Sequence, residues 1–393
     1  MAGKYGYLNE SSFRVRDINF RLILYVLLLS AIGVAVVHSA TASEVTQTIV
    51  STTVKQVIGI GLGVVAMMVL TFIDYRFFVK YSYVFAALSM IMLIYVRFFT
   101  PAIYGAHRWI YVPFFGTIQP SEFAKPALLM FLTFVLFKIR DRIDKVYMLL
   151  LYLVSAAPIL VLVLMEPDLS TSIVMVLLIV SLLFLADISY KWIVGVILAL
   201  LPIVALFFFA VYQEGQPLLN NLFEEHQVLR INAFFFPEQY PAQVYQQNNS
   251  VMAIGSGGLF GKGLNNSSLE SVKNGQFLSE EQCDFIFAVV GEELGFVGAV
   301  GVIVLILLIV FECLRMAYKC QDVRGKMVAG GAGCMIGFQS FINIAVALLL
   351  IPNTGIPLPF VSAGMSSLLS SYILMGLAMS VGLHNRQQKR GFK

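Results

Sequence analysis

Ten apolar stretches run through this sequence, each close to the length of about twenty residues that crosses a bilayer as a helix. They lie at roughly 20–41, 54–74, 81–98, 121–138, 147–165, 169–187, 190–211, 284–312, 327–351 and 360–383. An all-α, polytopic integral membrane protein of about ten transmembrane helices is the expected fold, with one large outer loop, 212–283, between helices seven and eight. Hydrophobic residues make up 59% of the chain and charged residues 12%, a balance that excludes an ordinary soluble domain. No soluble domain, repeat or low-complexity tail is visible, so residues 1–393 read as one polytopic domain.

Lysine and arginine fix the expected orientation, because short cytoplasmic loops retain positive charge. With the N-terminus inside, 19 of the 26 lysines and arginines fall on inner segments. Both termini are therefore expected in the cytoplasm. The first apolar segment follows a polar, basic stretch and has no small-residue cleavage pattern, so it reads as a retained helix. The net charge of +4 is loop charge and points to no nucleic-acid partner. Only Cys283 of the four cysteines faces outward, which leaves the outer loops without a structural disulfide.

Two outer segments exceed simple connectors. The first, about 99–120, mixes aromatics with His107 and Arg108 and suits a headgroup interface. The second, about 212–283, combines the run QVYQQNNS with the glycine-dense GSGGLFGKGL, and a loop of that length is functional or disordered. Its glycines gather around Lys262 as in a phosphate-cradling loop, although the Walker A spacing fails.

Asp284 stands where that loop meets the apolar run of helix eight. A carboxylate there is costly to desolvate and marks a candidate site; the alternative is a solvated acid favoured by the helix's positive end. Ser279 and Gln282 form a capping-box pattern that places Asp284 in the second helical turn, on one face with Ala288, Gly291 and Gly295. That small-residue face admits a substrate or a neighbouring helix. Glu292 and Glu293 lie two turns deeper and need partners, for which Lys125 and Arg108 are candidates. Glu122 and Lys125, three apart, can pair on one helix, as a packing device or as part of a site. Glu166 and Asp168 sit on a short outer turn, where Asp168 reads as a helix cap. No metal-ligand spacing or ATP-binding domain appears, and the four histidines are scattered.

Taken in order, GAHRWI (105–110), QPSEFAK (119–125), EPDLSTS (166–172), AIGSGGLFGKGL (253–264), CDFIFAVVGEELGF (283–296) and TGIPLPFVSAGMSSLL (354–369) resemble the SEDS family of FtsW, RodA and SpoVE. The resemblance covers nearly the whole chain. It implies a ten-helix peptidoglycan glycosyltransferase that polymerises lipid II at the outer face of the bacterial membrane, for elongation, division or sporulation, with a class B penicillin-binding protein as partner. It also implies that Asp284 is the catalytic aspartate, that Trp109 matters, and that Glu122 and Lys125 belong to a polar central cavity. The chain departs from the family at SEEQCDF, EPDLST and SAGMSS, where PExHTDF, QPDLGT and SYGGSS are usual.

The chemistry agrees with that expectation. Joining lipid-linked sugars requires a hydroxyl to attack an anomeric carbon while a diphosphate leaves. A carboxylate can take the hydroxyl proton. Arg108, Lys125, Arg230 and Lys262, or a divalent cation (Mg²⁺ or Mn²⁺), can stabilise the diphosphate, and no organic cofactor is expected. Rival readings are a lipid II flippase, which needs alternating openings, and a non-catalytic scaffold. A partner helix is expected beside helices eight and nine, at Gly325, Gly330, Gly331, Gly333 and Gly337, unless these serve internal packing.

Overall fold

The computed structural model describes residues 17–41, 46–101, 107–112, 116–142, 145–166, 168–188, 190–222, 225–265 and 282–391. The first half of the chain forms α1 (Phe20–Ala40), α2 (Thr46–Phe72), the short α3 (Tyr75–Lys80), α4 (Ser82–Phe99), α5 (Pro120–Ile139), α6 (Val146–Met165) and α7 (Leu169–Leu185). The second half forms α8 (Tyr190–Tyr212), α9 (Pro217–Leu222), α10 (Glu225–Phe235), α11 (Pro241–Ser256), α12 (Ile286–Lys319), α13 (Val323–Ala347) and α14 (Met365–Gly391). A two-stranded antiparallel hairpin, β1 (Ile110–Val112) and β2 (Gly116–Ile118), precedes α5 and pairs Tyr111 with Thr117.

Ten helices of 17 or more residues stand at the ten expected positions among the described residues. Seven of these are long and apolar enough to cross a membrane, and α7 is a shorter apolar helix. Of the remaining two, α5 carries Glu122, Lys125 and Lys138, and α8 is a further apolar helix of 23 residues. A multi-pass membrane fold follows.

The bundle centres on α13 and α14, whose apolar windows are 72% and 83% buried, whereas those of α2 and α12 are each 22% buried. α14 packs along α2, α12 along α13, and α13 also touches α5 and α7. The glycines expected to receive a partner helix are occupied from within the chain. Gly330 faces Leu185, Gly331 faces Leu129 and Leu182, Gly333 and Gly337 face Val310 of α12, and Gly325 faces Cys320 and Val381. Close internal approach explains them, and the expected groove is not there.

The outer loop is not featureless, as it contains α9, α10 and α11. Ser279, the first member of the expected capping box, lies outside the described residues. Helix α12 begins only at Ile286, with Phe285 in the N-cap position and no side-chain cap. Asp284 therefore sits in a turn ahead of the helix rather than in its second turn.

Helix α12 breaks at Gly295, which has φ 66° and ψ −167°. A break inside a helix frees backbone groups that need partners. The glycine-rich loop supplies them: Lys262 N and Gly263 N donate to Glu292 O and Glu293 O at 2.9 and 3.0 Å. In return, Phe296 N and Val297 N donate to Gly258 O and Leu259 O at 2.8 and 3.1 Å. A Cβ on Gly261 would sit 2.1 Å from Glu293 O, so only glycine allows this approach. Two of the amides expected to cradle a phosphate, those of Lys262 and Gly263, are engaged with α12, and Gly261 N bonds Gly257 O at 2.8 Å. Ile254 lies against Gly291, so of the substrate or neighbouring helix expected at that face, the structure places helix α11 there.

Candidate active site

The turn before α12, helix α10 and the segment before β1 bring Asp284 and two arginines together. Asn343 of α13 positions the acid: its Nδ2 donates to Asp284 O at 2.9 Å and to Ile356 O at 2.7 Å. One amide thus ties the turn before α12 to the segment between α13 and α14. Further bonds hold the same seam, with Ser362 Oγ donating to Cys283 O at 2.6 Å and Ala363 N to Gln282 O at 2.8 Å. The Asp284 side chain is half-buried and faces Gly355.

Gly355 (φ 66°) keeps that space open. A methyl built there would lie 3.1 Å from Asp284 Oδ2 and 3.7 Å from Arg230 Nη1. The carboxylate and the guanidinium therefore flank one glycine, reached from the turn before α12 and from α10. Arg230 remains in contact with solvent, yet surrounding protein desolvates its guanidinium enough to lower its pKa, with Asp284 opposing that shift and Arg108 adding to it. Arg108 enters from the segment before β1, where its Nε donates to Glu166 O at 2.7 Å. Trp109 follows it, half-buried.

The other two expected cations hold carboxylates of this chain. Lys125 Nζ lies 2.8 Å from Glu122 Oε2 and donates to Gln339 Oε1 at 2.7 Å, with both ion-pair side chains almost wholly buried. Lys262 Nζ lies 2.8 Å from Glu292 Oε1, and Glu293 accepts a hydrogen bond from Ser39. Glu292 and Glu293 thus find partners in Lys262 and Ser39 rather than in Lys125 and Arg108. A buried acid deprived of its cation typically destabilises a fold by about 3–5 kcal/mol, so both lysines act first on structure.

Asp168 caps α7 as expected, accepting from Thr171 N at 3.1 Å, and also accepts from Ser121 Oγ and Gln119 Nε2. Glu166 was not expected to be special. It is fully buried, and neither carboxyl oxygen has a hydrogen-bond partner among the described residues. Burial, reinforced by Asp168 and opposed by Arg108 and Arg97, pushes its carboxyl up to about 9. The folded chain then holds a proton that an unfolded chain releases near pH 4.5, so this residue's contribution to stability falls as pH rises between those values. Glu166→Gln is expected to stabilise the fold by roughly 1–3 kcal/mol at about pH 8 and to change little near pH 4. Thermal unfolding at both pH values checks this, and an equal shift at both would show that the carboxyl does not titrate with folding.

The profile of the cell cycle protein family FTSW_RODA_SPOVE matches residues 20–387. The chain belongs to that family. Among its relatives, a probable peptidoglycan glycosyltransferase FtsW of Trichlorobacter lovleyi is 31% identical over 94% of each chain. Stage V sporulation protein E of Bacillus subtilis is 32% identical over 93% of this chain and 97% of its own. The fold agrees with a chain from a peptidoglycan synthase complex that coordinates polymerization and crosslinking, at TM-score 0.74 and 24% identity over 94% of this chain and 99% of that one. It also agrees with the rod shape determining protein RodA of Thermus thermophilus, at TM-score 0.65 and 24% identity over 94% and 97%.

The described residues of this FtsW/RodA/SpoVE chain build no metal cage of their own. Among the described residues no three carboxylate, histidine or cysteine side chains cluster as a protein-built site requires. Across Gly355, Asp284 faces Arg230. No step below is routed through a divalent cation.

Proposed function

We propose that this chain is a peptidoglycan glycosyltransferase that polymerises lipid II at the outer face of the bacterial cytoplasmic membrane. The observation that carries the reading is the pairing of one half-buried acid, Asp284, with Arg230 across an open glycine, on a family chain whose relatives bear that activity in their names. Asp284 takes the proton of the attacking hydroxyl as the glycosidic bond forms. Arg230 and Arg108 offset the charge that develops on the departing diphosphate. Glu122, Lys125 and Lys262 support the site from beneath by fixing the helices that carry it. Both termini face the cytoplasm, in keeping with the lysine and arginine distribution.

A class B penicillin-binding protein is the partner we propose, as the family resemblance implies. The experiment for the whole reading is polymer formation from lipid II by purified protein in liposomes, with and without that partner. Transfer of lipid II between leaflets without polymer would favour the flippase reading instead. Arg230→Gln is expected to raise the KM for lipid II about tenfold, since a charge-assisted bond contributes about 1.5–3 kcal/mol. Its exposed side chain predicts an unchanged Tm, and wild-type kinetics would remove it from the site.

A further inference from the structure

A second cavity lies on the outer side, formed by the end of α8 and by α9, α10 and the start of α11, with a volume of about 840 Å³. That is in the range of about 300–1,000 Å³ usual for small-ligand sites. Neither Asp284 nor Arg108 lines it. It is nevertheless tied to the acid by one helix. Val228, Leu229 and Asn232 of α10 face the cavity, while Arg230, on the opposite side of that helix, neighbours Asp284. Cavity and acid are therefore separated by little more than a helix diameter, about 10–12 Å.

The lining is rich in amides: Gln213, Gln216, Asn220, Asn232 and Gln239. Two of these are scaffold, since Gln216 and Asn232 exchange side-chain hydrogen bonds of 2.9 and 2.8 Å. Gln213 differs. Its Oε1 is buried and has no hydrogen-bond partner among the described residues, a state that an arriving donor would relieve. Asn220, whose Nδ2 also donates to Gly215 O at 3.2 Å, and Gln239 are exposed and complete a set of neutral donors and acceptors. Tyr212, Phe236 and Tyr240 add aromatic surface, the first two at a ring separation of 5.7 Å. Such faces accept the C–H side of a pyranose ring while amides bond its hydroxyl and acetamido groups.

Charge narrows the ligand further. Among the described residues no lysine or arginine lines the cavity, and Glu214 and Glu225 do. A diphosphate or an acidic peptide is repelled there, whereas a neutral polyhydroxylated chain is not.

We propose that this cavity is a binding site for a neutral, N-acetylated oligosaccharide, placed one helix away from the reacting acid. The proposal rests on the glycan-polymerase reading. Two sources share that chemistry, the growing strand and the sugars of the lipid-linked headgroup.

The test uses the full chain in nanodiscs and chitotetraose as probe, followed by saturation-transfer NMR and titration calorimetry. Wild type is expected to bind chitotetraose, and inorganic pyrophosphate is expected not to displace it. Asn220→Ala combined with Gln239→Ala, both at exposed side chains, is expected to weaken binding at least about tenfold with an unchanged Tm. No binding by wild type, or equal binding by the double variant, overturns the proposal. Polymerisation then assigns the source. Shorter strands at an unchanged KM for lipid II place the growing strand in the cavity, and a raised KM with unchanged strand length places the headgroup sugars there. Wild type that binds chitotetraose yet makes no polymer would defeat the polymerase reading and leave the cavity's ligand class standing.

Discussion

Asp284→Asn is expected to lower lipid II polymerisation by a factor of about 100 to 10,000, the usual loss when a general base is removed. The substitution should leave the fold alone. Asn343 holds the backbone carbonyl of Asp284, not its carboxylate, and Phe285 rather than Asp284 occupies the N-cap position of α12. Asparagine also matches the shape beside Gly355. Polymer measured on gels, alongside equal yield and equal thermal unfolding, checks the claim. Strand synthesis near the wild-type rate would take Asp284 out of the mechanism and leave the arginines to be explained as an anion-binding site.

Gly295→Ala is expected to remove most of the folded protein. Its backbone conformation is open essentially to glycine alone, which sets a penalty of about 1–3 kcal/mol. An added Cβ would also lie 2.2 Å from Gly261 N and 2.7 Å from Leu259 O. Driving the loop away forfeits the four backbone bonds across the break, each contributing about 1 kcal/mol net. The total approaches the whole stability of many proteins, about 5–15 kcal/mol. Gly301→Ala, on the same helix and with nothing within 4 Å of its added Cβ, supplies the control and should behave as wild type. Recovery of monodisperse protein after detergent extraction, together with Tm, distinguishes the two. A Gly295→Ala chain as stable as the control would mean that the loop does not bridge the break.

The spans were legible because a run of about twenty apolar residues admits so few structures in lipid. Asp284 drew notice for a related reason, since an acid at the end of such a run stands out, and the structure sets it across Gly355 from Arg230. What could not be read were pairings between distant residues. Lys262 and Glu292 are 30 positions apart, and nothing local marks them as partners. The glycines before Lys262 carried a true signal of close backbone approach, but the approaching group is the chain's own helix rather than a phosphate. Glycines of α13 misled in the same way, because small residues permit contact without saying with what. Glu166 was hidden by its neighbours, since a turn between two helices looks solvated until Arg108 and Asp168 are seen to close over it.

The break at Gly295 also bears on how the chain is made. Residues 258–263 leave the ribosome before residues 292–297, so the groups that bridge the break exist before the break does. Helix α12 can therefore insert as two segments, with partners for its exposed carbonyls already waiting on the emerging side. A circular permutant that moved the glycine-rich loop behind α12 would lose that order and present an unpaired helix end to lipid during synthesis. Connectivity here is part of the assembly instructions, and a chain with the same final contacts in another order would have to reach them by another route.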